Sequence, residues 1–272
     1  DVYKRQLYKP IINQTFEPPQ GTPRPVGLES IPFLVTDLAS AEMIKYSANA
    51  FLAMKISFAN EIANLCEKVG ADVRQVTHGI GLDKRIGRSF LNAGVGWGGS
   101  CFGKDVHALI DVAREYHSST ALLEATRSVN KQQRAQAITK LQEELKIIKG
   151  RTIGLMGLSF KPDTDDLRDA PSLTIAALLE KMGAQVRAYD PVSNSICAST
   201  RPDLNIIYCD NVDELADGAD ALVLVTEWQE FRTTDWQVVG PTMRKRLMID
   251  GRNFLIEKDL IDAGFVYRGI GH

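Results

Sequence analysis

The chain changes character at Arg151-Thr-Ile-Gly-Leu-Met-Gly-Leu-Ser-Phe160, an apolar run of strand type that contains two glycines. Downstream of it, strand-like runs alternate with helical ones, as in a parallel sheet with helices on its faces. The predicted strands are 151–160, 185–190, 205–209, 221–226 and 247–250, and the predicted helices are 172–182, 212–216, 242–245 and 257–263. We therefore predict that residues 150–272 form a Rossmann-like α/β domain.

Upstream of this run the sequence is helical. From Ser40 to Val69 no glycine or proline interrupts the chain, apolar residues recur near helical spacing, and Gly70 supplies a stop. At about 1.5 Å per residue this helix is on the order of 50 Å long, a length typical of domain bridges and dimer interfaces. Shorter helices are predicted at 71–78, 102–117 and 119–149. Residues 37–149 are thus expected to be an all-helical domain through which the protein forms a homodimer or a higher homo-oligomer.

The first 36 residues resemble neither domain. They hold six of the eleven prolines, and proline removes a backbone donor and fixes φ. These are Pro10, Pro18, Pro19, Pro23, Pro25 and Pro32. We predict an irregular segment over residues 1–36, the remnant of an upstream region.

Composition argues against several classes of function. The 32 Lys and Arg residues nearly balance the 34 Asp and Glu residues, which leaves no basic field for nucleic acid. No apolar run approaches the roughly 18–20 residues of a membrane span, so no membrane partner is expected. Cys66, Cys101, Cys197 and Cys209 form no C-x-x-C pair and no metal-type spacing with histidine. We expect no metal, and a reducing, cytoplasmic setting.

A glycine-rich stretch, Gly94-Val-Gly-Trp-Gly-Gly-Ser-Cys-Phe-Gly-Lys-Asp105, is the most informative part of the chain. It contains a literal G-x-G-x-x-G, but a dinucleotide fingerprint must follow a strand and open a βαβ unit. This stretch follows a helical region and leads into another. We therefore interpret its glycines as positions where the backbone approaches a ligand closely.

The same stretch places Cys101 at the start of a predicted helix, where the partial positive charge of the helix favours a thiolate. Lys104 lies one turn on, and Asp105, at i+4, shares the helix face of the cysteine. A thiol, a cation and a carboxylate within one turn suit a nucleophile with acid/base support. The alternative is a buried cysteine that only packs, which the polar, glycine-rich surroundings disfavour.

Five segments follow one another in a distinctive order: Leu34-Val-Thr-Asp-Leu-Ala-Ser-Ala-Glu-Met-Ile-Lys-Tyr46, Ala48-Asn-Ala-Phe-Leu52, Gly81-Leu-Asp-Lys-Arg-Ile-Gly87, Gly98-Gly-Ser-Cys-Phe-Gly-Lys-Asp105 and Gly157-Leu-Ser-Phe-Lys161. Together they resemble the UDP-glucose/GDP-mannose dehydrogenase family. The resemblance covers about residues 34–270. Five ordered matches are far more specific than one motif. Arg85 and Ser100-Cys101-Phe102 favour the UDP-glucose branch, because the phenylalanine after the cysteine resembles that branch.

The resemblance implies an NAD-dependent enzyme that oxidises UDP-glucose to UDP-glucuronate in two steps. Cys101 would attack an aldehyde intermediate to form a thiohemiacetal and then a thioester, which water hydrolyses. The family's N-terminal NAD-binding domain is not among these 272 residues, so we expect this fragment to be inactive alone.

The resemblance also implies roles for individual residues. Lys45 and Asn49, at i and i+4 of the long helix, match the family's catalytic lysine and asparagine, and Asp105 would position the hydrolytic water. A solvated helix face is the alternative for the first two. The substrate-binding set is Arg85, Phe90, Gly98, Phe160, Lys161 and Arg252, although core packing is an alternative for both phenylalanines. Arg168 matches an arginine that reaches the NAD pyrophosphate.

Two other functions remain open at this point. One is a related dehydrogenase that acts on GDP-mannose or a UDP-N-acetyl sugar. The other is a non-catalytic module that binds a nucleotide sugar or forms a dimer.

Overall fold

The computed structural model describes residues 2–17 and 30–272. Its contacts divide the chain into two units, Asp1–Lys45 and Tyr46–His272. The predicted domain boundaries at 36/37 and 149/150 follow changes in secondary structure, and they stay predictions. Four of the prolines on which the irregular segment was predicted, Pro18, Pro19, Pro23 and Pro25, lie outside the described residues.

The first unit contains a helix, α1 (Val2–Ile12), so the prediction of an irregular segment is wrong over these residues. Pro10 stands in the last turn of α1, where its missing N–H removes a single helical bond. The Pro10 carbonyl accepts the Thr15 N–H at 2.9 Å, and the Ile12 carbonyl accepts the Ile31 N–H at 2.8 Å.

The long helix α2 (Leu38–Val69) has 32 residues, as its uninterrupted sequence predicts. Asp37 caps it by accepting the Ser40 N–H at 2.8 Å and the Ser40 hydroxyl at 2.7 Å. These bonds hold the pKa of the Asp37 carboxyl below its ordinary value. The buried residues of α2 are small, which lets neighbouring segments approach its backbone closely. They are Ala50, Ala53, Ser57, Ala59, Asn60, Ala63 and Cys66.

Four more helices precede the sheet: α3 (Val73–Gly81), α4 (Phe102–Glu115), α5 (Ala121–Gln133) and α6 (Gln136–Leu145). The single helix predicted over 119–149 is wrong, because the chain turns at Arg134. The Arg134 guanidinium donates to Thr174 Oγ1 at 3.0 Å and to the Trp97 carbonyl at 3.0 Å. These partners are distant from Arg134 in the sequence, so local helical periodicity cannot predict the turn.

A six-stranded parallel sheet follows, in the order β3-β2-β1-β4-β5-β6. Its strands are β1 (Thr152–Met156), β2 (Gln185–Tyr189), β3 (Ile206–Tyr208), β4 (Ala221–Leu224), β5 (Leu247–Asp250) and β6 (Val266–Arg268). The order and direction confirm the predicted fold class, a helical region followed by a parallel α/β domain.

The remaining helices are α7 (Pro171–Lys181), α8 (Asn194–Thr200), α9 (Val212–Ala216), α10 (Gln229–Arg232), α11 (Trp236–Val239) and α12 (Glu257–Asp262). The helix predicted at 242–245 is wrong. A 3-10 turn, Gly240–Thr242, stands there instead, and Met243 is already extended because the chain leads into β5.

Both faces of the sheet are buried, as expected of a parallel sheet covered on two sides. On one face, Ile153 and Leu155 of β1 pack in a cluster that includes Leu141 and Leu145 of α6. On the other face, Met156 packs in a second cluster that includes Leu215 of α9, Phe231 of α10 and Leu260 of α12. The carboxyl ends of the central strands are left facing the glycine-rich stretch.

Candidate active site

The glycine-rich stretch lies against loops at the carboxyl edge of the sheet. The Val95 N–H donates to the Gly251 carbonyl at 2.9 Å, and the Gly99 N–H donates to the Arg168 carbonyl at 2.9 Å. A Cβ atom at Gly98 would lie 2.3 Å from the Asp169 carbonyl oxygen, and one at Gly99 would lie 2.8 Å from the Phe160 ring. These glycines therefore permit a close approach of protein to protein. No strand occurs between residues 30 and 151, so the stretch is not a dinucleotide fingerprint.

Buried polar side chains hold the stretch from its helical side. Asn130 accepts the Trp97 N–H at 2.8 Å and donates to the Trp97 carbonyl at 3.0 Å. Asn60 accepts the Gly94 N–H, and Gln133 donates to the Gly94 carbonyl, both at 2.8 Å. Sequence reasoning missed these residues. The available signal was polar side chains on helix faces that are otherwise apolar.

Cys101 is the N-cap residue of α4. It is exposed, whereas Cys66, Cys197 and Cys209 are buried. Its sulfur lies 3.7 Å from Ser100 Oγ. The position at a helix start, with the thiol accessible, is the one that the sequence predicts.

Asp105 lies fully buried one turn after Cys101. Its Oδ2 accepts a hydrogen bond of 2.6 Å from Nδ2 of Asn49, which lies on α2. The structure thus joins two of the predicted catalytic residues in one contact beneath the cysteine's helix turn. Lys45 belongs to the first unit, and its catalytic role stays a prediction.

Phe160 and Lys161 follow β1 at the edge of the sheet. The Phe160 ring faces Gly99, and Lys161 Nζ lies 5.4 Å from the centroid of that ring. Phe90 has a positive φ of 64° and packs edge-on to Phe102, next to Cys101, with ring centroids 6.3 Å apart. A left-handed phenylalanine costs on the order of 1–3 kcal/mol, and such strain clusters at functional sites.

Arg252 follows β5 and links the sheet to the glycine-rich stretch. Its Nε donates to the Val225 carbonyl at 2.6 Å, and Nη1 donates to the Gly96 carbonyl at 3.1 Å. Glu227 lies 3.3 Å from the same guanidinium. These contacts use much of the donor capacity of Arg252. Its side chain therefore fixes the sheet to the glycine-rich stretch.

Two other predicted residues are more exposed. Arg85 forms a fork with Asp83, with Nη2–Oδ2 at 2.5 Å, and no contact among the described residues joins it to the Cys101 loop. Arg168 forms a fork with Asp166, with Nη2–Oδ2 at 2.7 Å. The Asp166 carboxylate, and to a smaller extent the charge of Cys101, raise the pKa of the Arg168 guanidinium.

Residues 39–132 match the central domain of the UDP-glucose/GDP-mannose dehydrogenase family, and residues 154–257 match its UDP-binding domain. The chain belongs to this family. The two matched regions coincide with the helical region and with most of the sheet domain described above.

Individual members of the UDP-glucose/GDP-mannose dehydrogenase family are similar over nearly the whole chain. UDP-glucose 6-dehydrogenase YwqF of Bacillus subtilis is 44% identical over 241 residues, which are 89% of this chain and 54% of that protein. The structure of a UDP-glucose dehydrogenase from Pyrobaculum islandicum matches with a TM-score of 0.83 at 32% identity. The match covers 99% of this chain and 56% of the Pyrobaculum chain. The structure of a UDP-D-ManNAc dehydrogenase from Pyrococcus horikoshii matches with a TM-score of 0.74 at 30% identity. The match covers 87% of this chain and 53% of the Pyrococcus chain. The chain spans about half the length of the curated relatives it matches.

The sheet has the strand order of a dinucleotide-binding domain, yet its own crevice does not fit NAD. Asp190, at the end of β2, is the position that would meet a ribose, but it is buried and already bonded. Its Oδ2 accepts from the Leu158 and Ser159 N–H groups at 2.7 and 3.0 Å, and from the Trp228 indole at 3.1 Å. A Cβ atom at Gly157 would lie 2.3 Å from Thr226, which leaves no gap for a pyrophosphate. Arg168, the residue predicted to reach that group, has an exposed guanidinium at the edge of the glycine-rich stretch.

Within the described parts of the chain, no group of three or more His, Cys, Asp or Glu side chains is arranged to hold a metal ion. No helix there combines the length and the apolar character that crossing a membrane needs.

Proposed function

We propose that these two domains supply the nucleotide-sugar site and the thiol nucleophile of an NAD-dependent UDP-glucose 6-dehydrogenase. The observation that carries the proposal is the exposed Cys101 at the start of α4, one turn from the buried Asn49–Asp105 contact. NAD supplies the hydride acceptor for both oxidations. Catalysis by these two domains alone is not expected.

The role of Cys101 follows from the chemistry of a four-electron oxidation. After the first oxidation of the C6 alcohol, Sγ attacks the aldehyde carbon, and the carbonyl oxygen takes up a proton to give a thiohemiacetal. Loss of hydride from the adduct carbon, with loss of the hydroxyl proton, converts this adduct into a thioester. Water then attacks the thioester carbon, the C–S bond breaks, and the carboxylate leaves while the thiol is restored.

Asn49 and Asp105 support these steps. The Asn49 amide is a neutral donor suited to an oxyanion, and its bond to Asp105 fixes its orientation. Asp105 is the carboxylate within one turn of the sulfur, and we assign to it the positioning of the hydrolytic water. Lys45, one helical turn before Asn49 on α2, is the proposed cation for the developing negative charge.

The nucleotide sugar is proposed to lie at the sheet's carboxyl edge, against Phe160 and Lys161. Phe90, Gly98 and Arg252 complete this part of the proposed site. Arg85 would reach substrate from a neighbouring subunit, because its exposed guanidinium has no link to the Cys101 loop among the described residues.

That subunit is proposed to pack on α2. Phe51, Phe58 and Leu65 lie seven residues apart on this helix, and 57%, 50% and 54% of their surfaces are exposed. A seven-residue spacing keeps them on one side of the helix, and an exposed apolar stripe of this kind marks an association surface. A second copy of the chain is the proposed occupant.

A UDP-N-acetyl sugar is the second candidate substrate, favoured by the similarity to the Pyrococcus horikoshii dehydrogenase. Calorimetric titration with UDP-glucose, UDP-N-acetylmannosamine and GDP-mannose separates the candidates. We expect saturable binding, with the highest affinity for UDP-glucose. Lys161→Ala should lower the affinity for UDP-glucose. The control Lys181→Ala, which replaces another surface lysine, should leave that affinity unchanged. Tighter binding of either competitor overturns the UDP-glucose assignment.

A further inference from the structure

A short segment, residues 269–271, follows β6 and leaves the sheet to pack on the helical region. Its central residue, Ile270, is fully buried. Ile270 belongs to an apolar cluster with Ala63 and Cys66 of α2 and with Val73, the first residue of α3. The segment therefore joins the sheet domain to these two helices by removing an apolar side chain from water.

Gly271 fixes the segment on the same helices. Its carbonyl accepts the Val73 N–H at 2.9 Å, and its N–H donates to Oε1 of Glu67, on α2, at 2.7 Å. The same carboxylate oxygen lies 2.6 Å from Nζ of Lys140, which is buried. The φ of Gly271 is 84°, and an added Cβ atom would lie 2.6 Å from the Val73 side chain and 2.7 Å from that of Ala63. Only glycine fits this position without moving the segment.

Asn253 holds the segment from the sheet side. Its Nδ2 donates to the Ile270 carbonyl at 2.8 Å, and its Oδ1 accepts the Ile270 N–H at 2.8 Å. Oδ1 also lies 3.2 Å from Nε2 of His272. The φ of Asn253 is 52°, in the left-handed region, which asparagine tolerates better than most residues. Because both ends of the amide are bonded to Ile270, the position of segment 269–271 fixes that of Asn253.

Asn253 directly follows Arg252 in the turn after β5. Within this turn, the Asp250 carboxylate accepts the N–H groups of Arg252 and Phe254, both at 2.9 Å. The Arg252 guanidinium donates to the Gly96 carbonyl at 3.1 Å, so its side chain ends at the glycine-rich stretch. A change in the backbone of Asn253 redirects Arg252, because one rigid peptide plane joins the two residues.

We propose that Asn253 is a positioning residue of the nucleotide-sugar site, which transmits the placement of segment 269–271 on α2 and α3 to the guanidinium of Arg252. The inference rests on the proposed substrate-binding role of Arg252. The Asn253 amide is already bonded to Ile270, so it acts through its neighbour and not on the substrate. The affinity for the nucleotide sugar then depends on how the sheet domain is fastened to α2 and α3.

A double-mutant cycle with Arg252 tests this coupling. Asn253→Gly removes both hydrogen bonds to Ile270, while glycine still adopts the left-handed backbone conformation. In calorimetric titration with UDP-glucose, Asn253→Gly should raise the Kd by about fivefold or more, because two hydrogen bonds are lost. In an Arg252→Ala background, Asn253→Gly should have no further effect on the Kd, because residues that act as one unit are not additive. No increase, or an equal increase in both backgrounds, overturns the proposal, since a merely structural role would act independently of Arg252.

Two further variants complete the comparison. Gly271→Ala displaces the segment from the side of α2 and α3, and it should also raise the Kd only when Arg252 is present. Asn205→Gly is the matched control, because it replaces an exposed asparagine before β3, and it should leave the Kd unchanged. Circular dichroism and urea denaturation of every variant ensure that the binding comparison is made on folded protein.

Hydrogen exchange measured by mass spectrometry gives a second readout that needs no ligand. The Val95 N–H donates to the carbonyl of Gly251, which directly precedes Arg252. Asn253→Gly should therefore speed exchange at residues 94–97 as well as at residues 269–271. Faster exchange at 269–271 alone overturns the proposal. If the unaltered chain binds no UDP-glucose, that result counts against the proposed function, and exchange at 94–97 decides the coupling by itself.

Discussion

At the scale of single residues, the four cysteines differ in accessibility. Cys101 is exposed, and the other three are buried. Burial raises the pKa of the Cys197 thiol, and it raises the pKa of Cys209 to about 11. These two thiols are therefore almost fully protonated near neutral pH, and the thiol form is a poor nucleophile.

We accordingly predict that iodoacetamide modifies Cys101 first, at about pH 7.5, with rates for Cys197 and Cys209 lower by about 100-fold or more. Peptide mass spectrometry over time gives the rate at each position. Cys101→Ser should remove the fast phase and leave the slow ones. Equal rates at all four positions would favour the non-catalytic module.

Asn130 is predicted to stabilise the glycine-rich stretch. Asn130→Ala removes two hydrogen bonds to Trp97 and leaves a buried backbone N–H without its acceptor, which costs about 2–4 kcal/mol. Urea denaturation measures the loss, with Ser128→Ala on the same helix as the control, because Ser128 is exposed. A second readout is the rate of Cys101 alkylation, which should change in Asn130→Ala even under conditions where the variant is fully folded. An unchanged rate would limit Asn130 to a structural role.

At the scale of elements, α2 is predicted to form the dimer interface. Phe58→Glu places a charge in the apolar stripe and should shift the protein towards the monomer, because a desolvated carboxylate without a partner is unfavourable. Light scattering after size exclusion gives the mass. Phe58→Leu keeps an apolar side chain and should stay dimeric. A monomeric mass for the unaltered chain would contradict the proposed interface.

Elements with strong local signals could be predicted from the sequence. The long helix α2 has an uninterrupted apolar period and a glycine stop, and β5 and α9 have the predicted bounds. The turn at Arg134 and the short strand β6 could not be predicted. The turn depends on Trp97 and Thr174, distant along the chain, and in β6 only the central residue, Tyr267, is buried.

The candidate site shows the same division. Cys101 and Asp105 could be found because they lie in one helical turn with distinctive chemistry. The roles of Asn130 and Gln133 could not, because a polar residue on an apolar helix face indicates burial but does not identify the loop that it holds. Glycines at 98 and 99 predict a close approach, but only the fold reveals Asp169 and Phe160 as the neighbours.

At the scale of the whole molecule, stability is predicted to fall in acid. Burial alone would raise the pKa of Asp190, but hydrogen bonds from Leu158, Ser159, Val192 and Trp228 outweigh it and lower that pKa. Such a group stabilises the fold above its unfolded pKa, near 3.8, and the contribution is lost as pH falls through the folded value. The urea midpoint at about pH 3 should lie below that at pH 7. The variant Asp190→Asn should be less stable than the unaltered chain at both pH values. Equal midpoints would contradict the assignment.

Stability is also predicted to fall in alkali. Burial raises the pKa values of Cys209 and Tyr267, so the fold favours their protonated forms. Their contribution is present below the unfolded values of 9.0 and 10.0 and is lost as pH rises above them. A urea midpoint at about pH 10.5 should lie below that at pH 7. Tyr267→Phe should reduce this decrease in the urea midpoint. An unchanged decrease would mean that other groups cause the loss of stability.

The glycine-rich stretch meets the sheet edge at contacts that leave no room for a methyl group. The Gly98 position faces the Asp169 carbonyl, and the Gly94 position faces the Gly251 carbonyl, at 2.3 and 2.6 Å from the added carbon. Because the two backbones fit so tightly, a change in the shape of one requires a matching change in the other. A chimera that takes its helices from one parent and its sheet from another would bring together edges shaped for different neighbours. Recombination between members of the family should therefore succeed when residues 94–100 travel with the sheet's edge loops, and fail when the crossover separates them.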